Sequence, residues 1–288
     1  MVAFVSLATI GVLPATSFGQ AVEPVARKAS AQPSNEQIRS TEGPIFRVGA
    51  IMGSNLSSSD SKGSAKVQDV IMDLDTGHVP FIVLAIDDAA SAAGSLVVPT
   101  SAIRDFGTRE QSLRLTANEL RQSPKVPKAA SELTRAWATS VLGHFKTEPY
   151  WKADNDRVSD RDVLVRASQL HDVVVVADDG KPLGRIQDFA MTSRGDIAYA
   201  GLSQHDKADQ LHPIPLSAFI APVGNTEWRL NLPPDIVENT PKFAAASWPT
   251  TLDRGWLEYV HVRYGRSVFD GVNRTAQPNQ ATAQKESK

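Results

Sequence analysis

One pattern occurs twice in this chain, and that duplication limits its architecture more than any other feature. Lys66-Val67-Gln68-Asp69-Val70-Ile71-Met72-Asp73 leads through Leu74-Asp75-Thr76-Gly77 into the apolar run from Val79 to Ile86. Gly184-Arg185-Ile186-Gln187-Asp188-Phe189-Ala190-Met191 leads in the same way into Ile197 to Leu202. Val98-Pro99-Thr100-Ser101-Ala102-Ile103 is answered by Ile214-Pro215-Leu216-Ser217-Ala218-Phe219, Leu113-Arg114-Leu115 by Trp228-Arg229-Leu230, and Ser123-Pro124-Lys125-Val126 by Thr240-Pro241-Lys242-Phe243. Beyond the strand patterns, Leu133-Thr134-Arg135-Ala136-Trp137 is answered by Leu252-Asp253-Arg254-Gly255-Trp256. The offset is 119 residues between Asp69 and Asp188, 116 between Pro99 and Pro215, 117 between Pro124 and Pro241, and 119 between Trp137 and Trp256. A unit of this length is a duplicated domain, because solenoid units run to only about 20–50 residues.

Each copy opens as a β-hairpin. Asp75-Thr76-Gly77, with Gly last, has the composition of a loop closed by a left-handed residue, since Gly carries no Cβ to clash there. Val70, Met72 and Leu74 alternate with Asp69, Ile71 and Asp73, whereas the return strand is apolar on both faces, so one strand is half-exposed and its partner central. Pro80 cannot donate to a ladder and requires an edge or a bulge. Phe46-Arg47-Val48-Gly49-Ala50-Ile51 reads as a preceding strand, and the Ser-rich stretch from Ser57 to Gly63 as a surface turn.

These residues resemble the PRC-barrel family, the small β-barrel shared by the reaction-centre H subunit and the ribosome maturation factor. The resemblance rests on Ala65-Lys66-Val67-Gln68-Asp69 with Val98-Pro99-Thr100-Ser101-Ala102-Ile103, and on Gly184-Arg185-Ile186-Gln187-Asp188 with Ile214-Pro215-Leu216-Ser217-Ala218-Phe219. Ala65 departs from the family's usual Gly. The resemblance implies a module that docks onto partners and carries over no catalytic residue, cofactor or photosynthetic role. The expected fold is therefore mainly β, with two tandem small PRC-type β-barrels at residues 46–150 and 163–270, each followed by a short amphipathic helix. The rest divides into a leader at 1–21, linkers at 22–45 and 151–162, and a polar tail at 271–288.

Composition narrows the function classes. A net charge of −2, with its lysines and arginines dispersed, gives no electrostatic footprint for nucleic acid. The absence of cysteine removes disulfides, thiolate nucleophiles and Cys-ligated zinc. Val2 to Leu13 is apolar or small, and small residues follow up to Ala21, as in a secretory signal peptide cleaved near Ala21. No Lys or Arg precedes that run. It is shorter than the ~20 residues of a membrane-spanning helix, so contact with a membrane is expected only if the leader is retained.

Asp73 and Asp75 flank the first turn and share a strand face, as a cation site or acid pair would, but the copy has Thr192 and Arg194 there, and Asp is common in turns for its bonds to backbone N–H groups. Asp178-Asp179-Gly180 lacks the remaining carboxylates of a calcium loop and reads as a turn. Asp69 and Asp188 recur after Gln in both copies, in a position either to cap backbone N–H groups of the adjoining loop or to turn out to solvent. The six histidines show no ligand spacing; His205 and His212, with Asp206 or Asp209, are the pair that could converge from a loop. There is no Gly-x-Ser-x-Gly elbow, P-loop or Gly-x-Gly-x-x-Gly turn.

The segments after each strand set carry the functional lead. Leu133, Trp137, Val141 and Phe145 fall on one helix face, as do Leu252, Trp256, Val260 and Tyr264. Trp137, Phe145, Trp256 and Tyr264 are the candidate anchors, either plugging their own barrel or meeting the other barrel or a partner. The expected role is non-catalytic interaction or assembly in the periplasm or cell envelope, outside the enzymes, with an envelope protein or a second copy as partner. The alternative is a small-molecule or metal site between the barrels, rimmed by the His205 to His212 loop.

Overall fold

The computed structural model describes residues 43–86, 94–151, 164–204, 207–220, 227–230 and 234–266. The expected leader, most of the 22–45 linker, residues 152–162 of the inter-repeat linker and the 271–288 tail lie outside them. Strand outweighs helix, 41% to 23%, which makes the chain mainly β as the alternating patterns imply.

The first repeat comprises β1 (Gly43–Arg47), the one-turn α1 (Val48–Ile51), β2 (Asn55–Ser57), β3 (Ser64–Asp73), β4 (His78–Ala85), β5 (Leu96–Pro99), β6 (Ile103–Arg104), β7 (Ser112–Leu113), α2 (Ala117–Arg121) and α3 (Arg135–His144). The second comprises β8 (Leu164–Arg166), β9 (Val174–Ala177), β10 (Pro182–Thr192), β11 (Ile197–Gln204), β12 (Lys207–Ile214), β13 (Phe219–Ile220), β14 (Glu227–Leu230), α4 (Pro234–Glu238), β15 (Phe243–Ala244), β16 (Thr251–Leu252) and α5 (Arg254–Arg263). Two expectations change here. Phe46 to Ile51 is not one strand, because the chain leaves β1 at Arg47 and makes a helical turn. The linker also ends before residue 45, since Gly43, Pro44 and Ile45 already pair in β1.

One sheet runs β2-β3-β4-β5 with β8 added to β3; the other runs β13-β14-β9-β10-β11-β12-β15, with β1 on β10 and β16 on β1; β6 and β7 pair separately. None of these sheets closes into a barrel among the described residues. β5 passes into β6 through a 3-10 turn (Thr100–Ala102) and β12 into β13 through another (Leu216–Ala218).

The two long hairpins share their irregularities. Val67 pairs with Leu84 and Asp69 with Val83, while Ile186 pairs with Leu202 and Asp188 with Gly201. The extra residue is a Gln in each copy, and the bulge re-aims the Asp that follows it. A second shift follows between Ile71 and Asp73, opposite Val79 and Pro80, and pairing with β5 begins only at Phe81. Pro80 thus sits at a bulge where its missing N–H leaves no rung unmade. The turn is closed by Gly77 at φ 67°, and Leu74, which opens the turn, is fully buried.

The difference between Ala65 and Gly184, its counterpart in the second copy, has a local cause. β10 meets β9 with a register shift between Pro182 and Gly184, whereas β3 meets β2 in regular register. A Cβ on Gly184 would lie 1.8 Å from the Ser203 carbonyl oxygen, a backbone atom that cannot swing aside. Gly184→Ala is therefore expected to lower unfolding stability by about 3 kcal/mol, as overpacking does, while Ala65→Gly costs about 1 kcal/mol in chain entropy. Urea titrations of the two variants check the contrast.

The core is continuous across the repeats. Val70, Met72 and Ile82 from the first belong to the same buried cluster as Ile186, Met191 and Leu202 from the second.

Candidate functional site

The two repeats exchange their leading strands. β1, from the first repeat, pairs with β10 of the second through Ile45 and Thr192, Phe46 and Met191, and Arg47 and Ala190. β8, from the second repeat, pairs with β3 of the first through Leu164 and Asp73, Val165 and Met72, and Arg166 and Ile71. Each rung has its counterpart 119 residues away, so the exchange is reciprocal. The hairpin tips repeat the relation: Val79 N–H donates to the Gly195 carbonyl and Ile197 N–H to the Gly77 carbonyl, both at 2.8 Å. His78 and Asp196 face each other where these two bonds cross, bridged at 3.2 Å from Nδ1 to Oδ1. A pseudo-twofold axis passes between them.

Asp69 and Asp188 hold this exchange in place. Asp188 Oδ1 accepts from the N–H of Gly49, at the first turn after β1, and from that of Phe189, at 3.0 and 2.8 Å. Asp69 Oδ1 accepts from the N–H of Ser168, after β8, and from that of Val70, at 3.1 and 2.9 Å. The second oxygen is bound differently: Arg47 donates to Asp188 Oδ2 at 3.0 Å, and the Ser168 hydroxyl donates to Asp69 Oδ2. The capping expected of these acids is thus made to the opposite repeat. Asp188→Ala would strip two amides of their acceptor inside the interface and cost about 2–3 kcal/mol, with the half-exposed Arg47 adding little. Asp69→Ala should match it within about 1 kcal/mol because the amide partners are equivalent; chemical denaturation of both variants tests this.

Asp73 does more than shape a turn. Its Oδ1 accepts from the N–H groups of Asp75 and Thr76 at 3.0 and 3.3 Å, as the turn reading requires. Its Oδ2 accepts from the Tyr150 hydroxyl at 2.7 Å and forms an ion pair with Arg135 on α3. Arg135 Nη1 donates to the Tyr150 oxygen at 3.0 Å, and its guanidinium lies 4.7 Å over the Trp151 ring. Burial, and then the Asp73 charge, push the Tyr150 pKa far above that of an ordinary phenol, so the hydroxyl stays a donor. Among the described residues, the second repeat has no such network. Thr192 Oγ1 accepts the turn amides of Arg194 and Asp196 instead, and Arg254 turns to Glu258 on its own helix. Arg135 and Tyr150 were not foreseen as partners of Asp73, because the pattern around Asp73 contains neither.

The four aromatic candidates all face the protein's own sheets. α3 is capped by the Thr134 side chain and α5 by the Asp253 side chain, each accepting from the N–H of the tryptophan three residues on. Trp137 packs edge-on against Phe81 at 5.3 Å and Trp256 against Tyr199 at 5.4 Å. Phe145 is partly buried and Tyr264 fully so. The face under each helix includes the exchanged strand, with Leu164 beneath α3 and Ile45 beneath α5. What α5 leaves uncovered are Tyr259 and Val262, 46% and 73% exposed.

The histidine pair does not form a rim. His205 and Asp206 lie outside the described residues. The stretch from Lys207 to Ile214 is strand β12 rather than loop, and His212 is buried, its Nδ1 3.2 Å from the Thr240 hydroxyl oxygen. Thr240 gives its own proton to the Val237 carbonyl at 2.7 Å and accepts from the Tyr264 hydroxyl at 3.1 Å, so His212 Nδ1 is a donor. Burial, reinforced by Lys242, drives the His212 pKa down to about 4. Among the described residues, no three His, Cys, Asp or Glu side chains are grouped as metal ligands.

A cleft of about 620 Å3 opens beside the pseudo-axis on the first repeat. Phe46, Pro80, Pro99, Ile103, Phe106 and Leu142 give it apolar walls, and His78 and Tyr150, their rings tilted by 37° at 5.1 Å, form another. Ser193 and Arg194 reach it from the second repeat's hairpin tip. The chain matches no protein-family model and no curated protein.

Proposed function

We propose that the chain is a non-catalytic interaction or assembly module of the periplasm or cell envelope, built from two PRC-type barrel repeats. The observation that carries this reading is the use made of the retained acids. Asp69 and Asp188, kept in both copies, have their oxygens occupied by the opposite repeat's backbone and side chains. Carboxylates bound in this way serve to join one repeat to the other. Duplication has preserved a scaffold.

In this reading Trp137, Phe145, Trp256 and Tyr264 anchor α3 and α5 to the sheets, and the outer face of α5, carrying Tyr259 and Val262, meets an envelope partner. The apolar segment at Val2 to Leu13 with its small-residue site near Ala21 supports export. A photo-crosslinking residue placed at 259 or 262 in the full-length protein should trap one reproducible adduct in cells. The same residue at exposed Lys181 should trap none. Equal, diffuse crosslinking from both positions would remove the assembly reading. A fusion of residues 1–42 to a reporter active only outside the cytoplasm should be active if the leader exports.

A further inference from the structure

We propose that the cleft beside the pseudo-axis binds a short peptide with free termini. Its volume of about 620 Å3 lies within the range of clefts that enclose a compact ligand. Its walls are apolar at Phe46, Pro80, Pro99, Ile103, Phe106 and Leu142, which suits aliphatic side chains.

The charges around it distinguish the ligand. Arg114 and Arg194 line the cleft, as do Asp105 and Glu148. None of these four forms an ion pair with another described residue. All four are exposed; a purely anionic ligand would meet two carboxylates, and a purely cationic one two guanidinium groups. A zwitterion satisfies both, its carboxylate taken by an arginine as a charge-assisted pair and its ammonium by Asp105 or Glu148. The hydroxyls of Ser101, Thr108 and Ser193, also in the lining, supply the donors and acceptors that a peptide backbone between those termini requires.

The two repeats differ at this place. Where the first has Thr100 and Ile103, the second has the larger Leu216 and Phe219, and Phe219 packs edge-on against Trp228 at 5.2 Å. The site needs both repeats, because Arg194 belongs to the second. This proposal stands whether or not the leader is cleaved and whether or not α5 has a partner.

The test is a calorimetric titration of the full-length protein with Ala-Leu-Ala, its N-acetyl form and its C-amide. The free tripeptide should bind saturably, and capping either end should weaken binding by about tenfold, the loss expected for one charge-assisted contact of 1.4 kcal/mol. Arg194→Ala should weaken the free peptide and abolish the penalty for C-amidation, while leaving the N-acetyl penalty in place. Ser101→Trp, which places bulk at an exposed wall without touching the core, should eliminate binding at an unchanged unfolding midpoint. No saturation up to about 10 mM, equal binding of all three peptides, or undiminished binding to the Ser101→Trp variant would each overturn the proposal.

Discussion

Arg135→Met should destabilise the protein by about 3–5 kcal/mol, the characteristic cost of leaving one member of a buried ion pair without its partner. Asp73 has no solvent exposure and Arg135 is 7% exposed, so water cannot replace the lost guanidinium. Tyr150 would still donate to Asp73, but a neutral donor does not compensate a charge. The second repeat indicates the repair, because it holds the same turn with Thr192 and, among the described residues, has no ion pair at that place. The double variant Asp73→Thr, Arg135→Met should therefore recover at least half of the loss, since replacing a buried pair together is far milder than breaking it. Urea unfolding of the single and double variants decides this. A double variant no more stable than Arg135→Met would show that the network, and not the charge balance, holds α3 to the hairpin.

The second large effect is acid sensitivity at His212. Its pKa lies at about 4 in the folded protein, against about 6.5 in an unfolded chain. Between these values the unfolded chain binds a proton that the native protein refuses. The contribution to stability is thus complete above pH 6.5, falls as the pH drops toward 4, and is exhausted below that. Its span is about 3 kcal/mol. His212→Asn keeps a donor near the Thr240 hydroxyl and cannot titrate. The gap in stability between the natural protein and this variant should therefore narrow or reverse by about 3 kcal/mol from pH 7 to pH 4. Guanidinium titrations across that range measure it, and a constant gap would show that protonated His212 is accommodated in the fold.

Much of this could be read along the chain, and what could be read was local or periodic. The hairpins, the Gly-closed first turn, the edge or bulge expected at Pro80 and the helix faces led by Trp137 and Trp256 all follow from local residue types and from spacings that a strand or a helix imposes on neighbouring residues. Capping by Asp69 and Asp188 was legible as one of two outcomes, because a short acid within an apolar strand must meet either amide donors or water. Which amides they cap was not legible, since Gly49 and Ser168 lie 139 and 99 residues away. Arg135 and Tyr150 escaped for the same reason, because buried charges announce their partners through space and not through spacing. The reading of Lys207 to His212 as a loop failed where exposed residues lead β12 and buried ones end it. A strand that leaves the core for solvent has no single period to detect.

The sequence alone therefore determined that one unit is present twice, in register, with the same hairpin, proline turn and Trp-bearing segment. It could not determine which copy completes which. Strand pairing is set by hydrogen bonds and apolar contacts between segments distant in the chain, and β1 carries the same pattern whichever repeat receives it. The tertiary structure sends each leading strand across to the other repeat, placing Asp69 and Asp188 at its turn, because the bulge at Gln68 or Gln187 aims the carboxylate there.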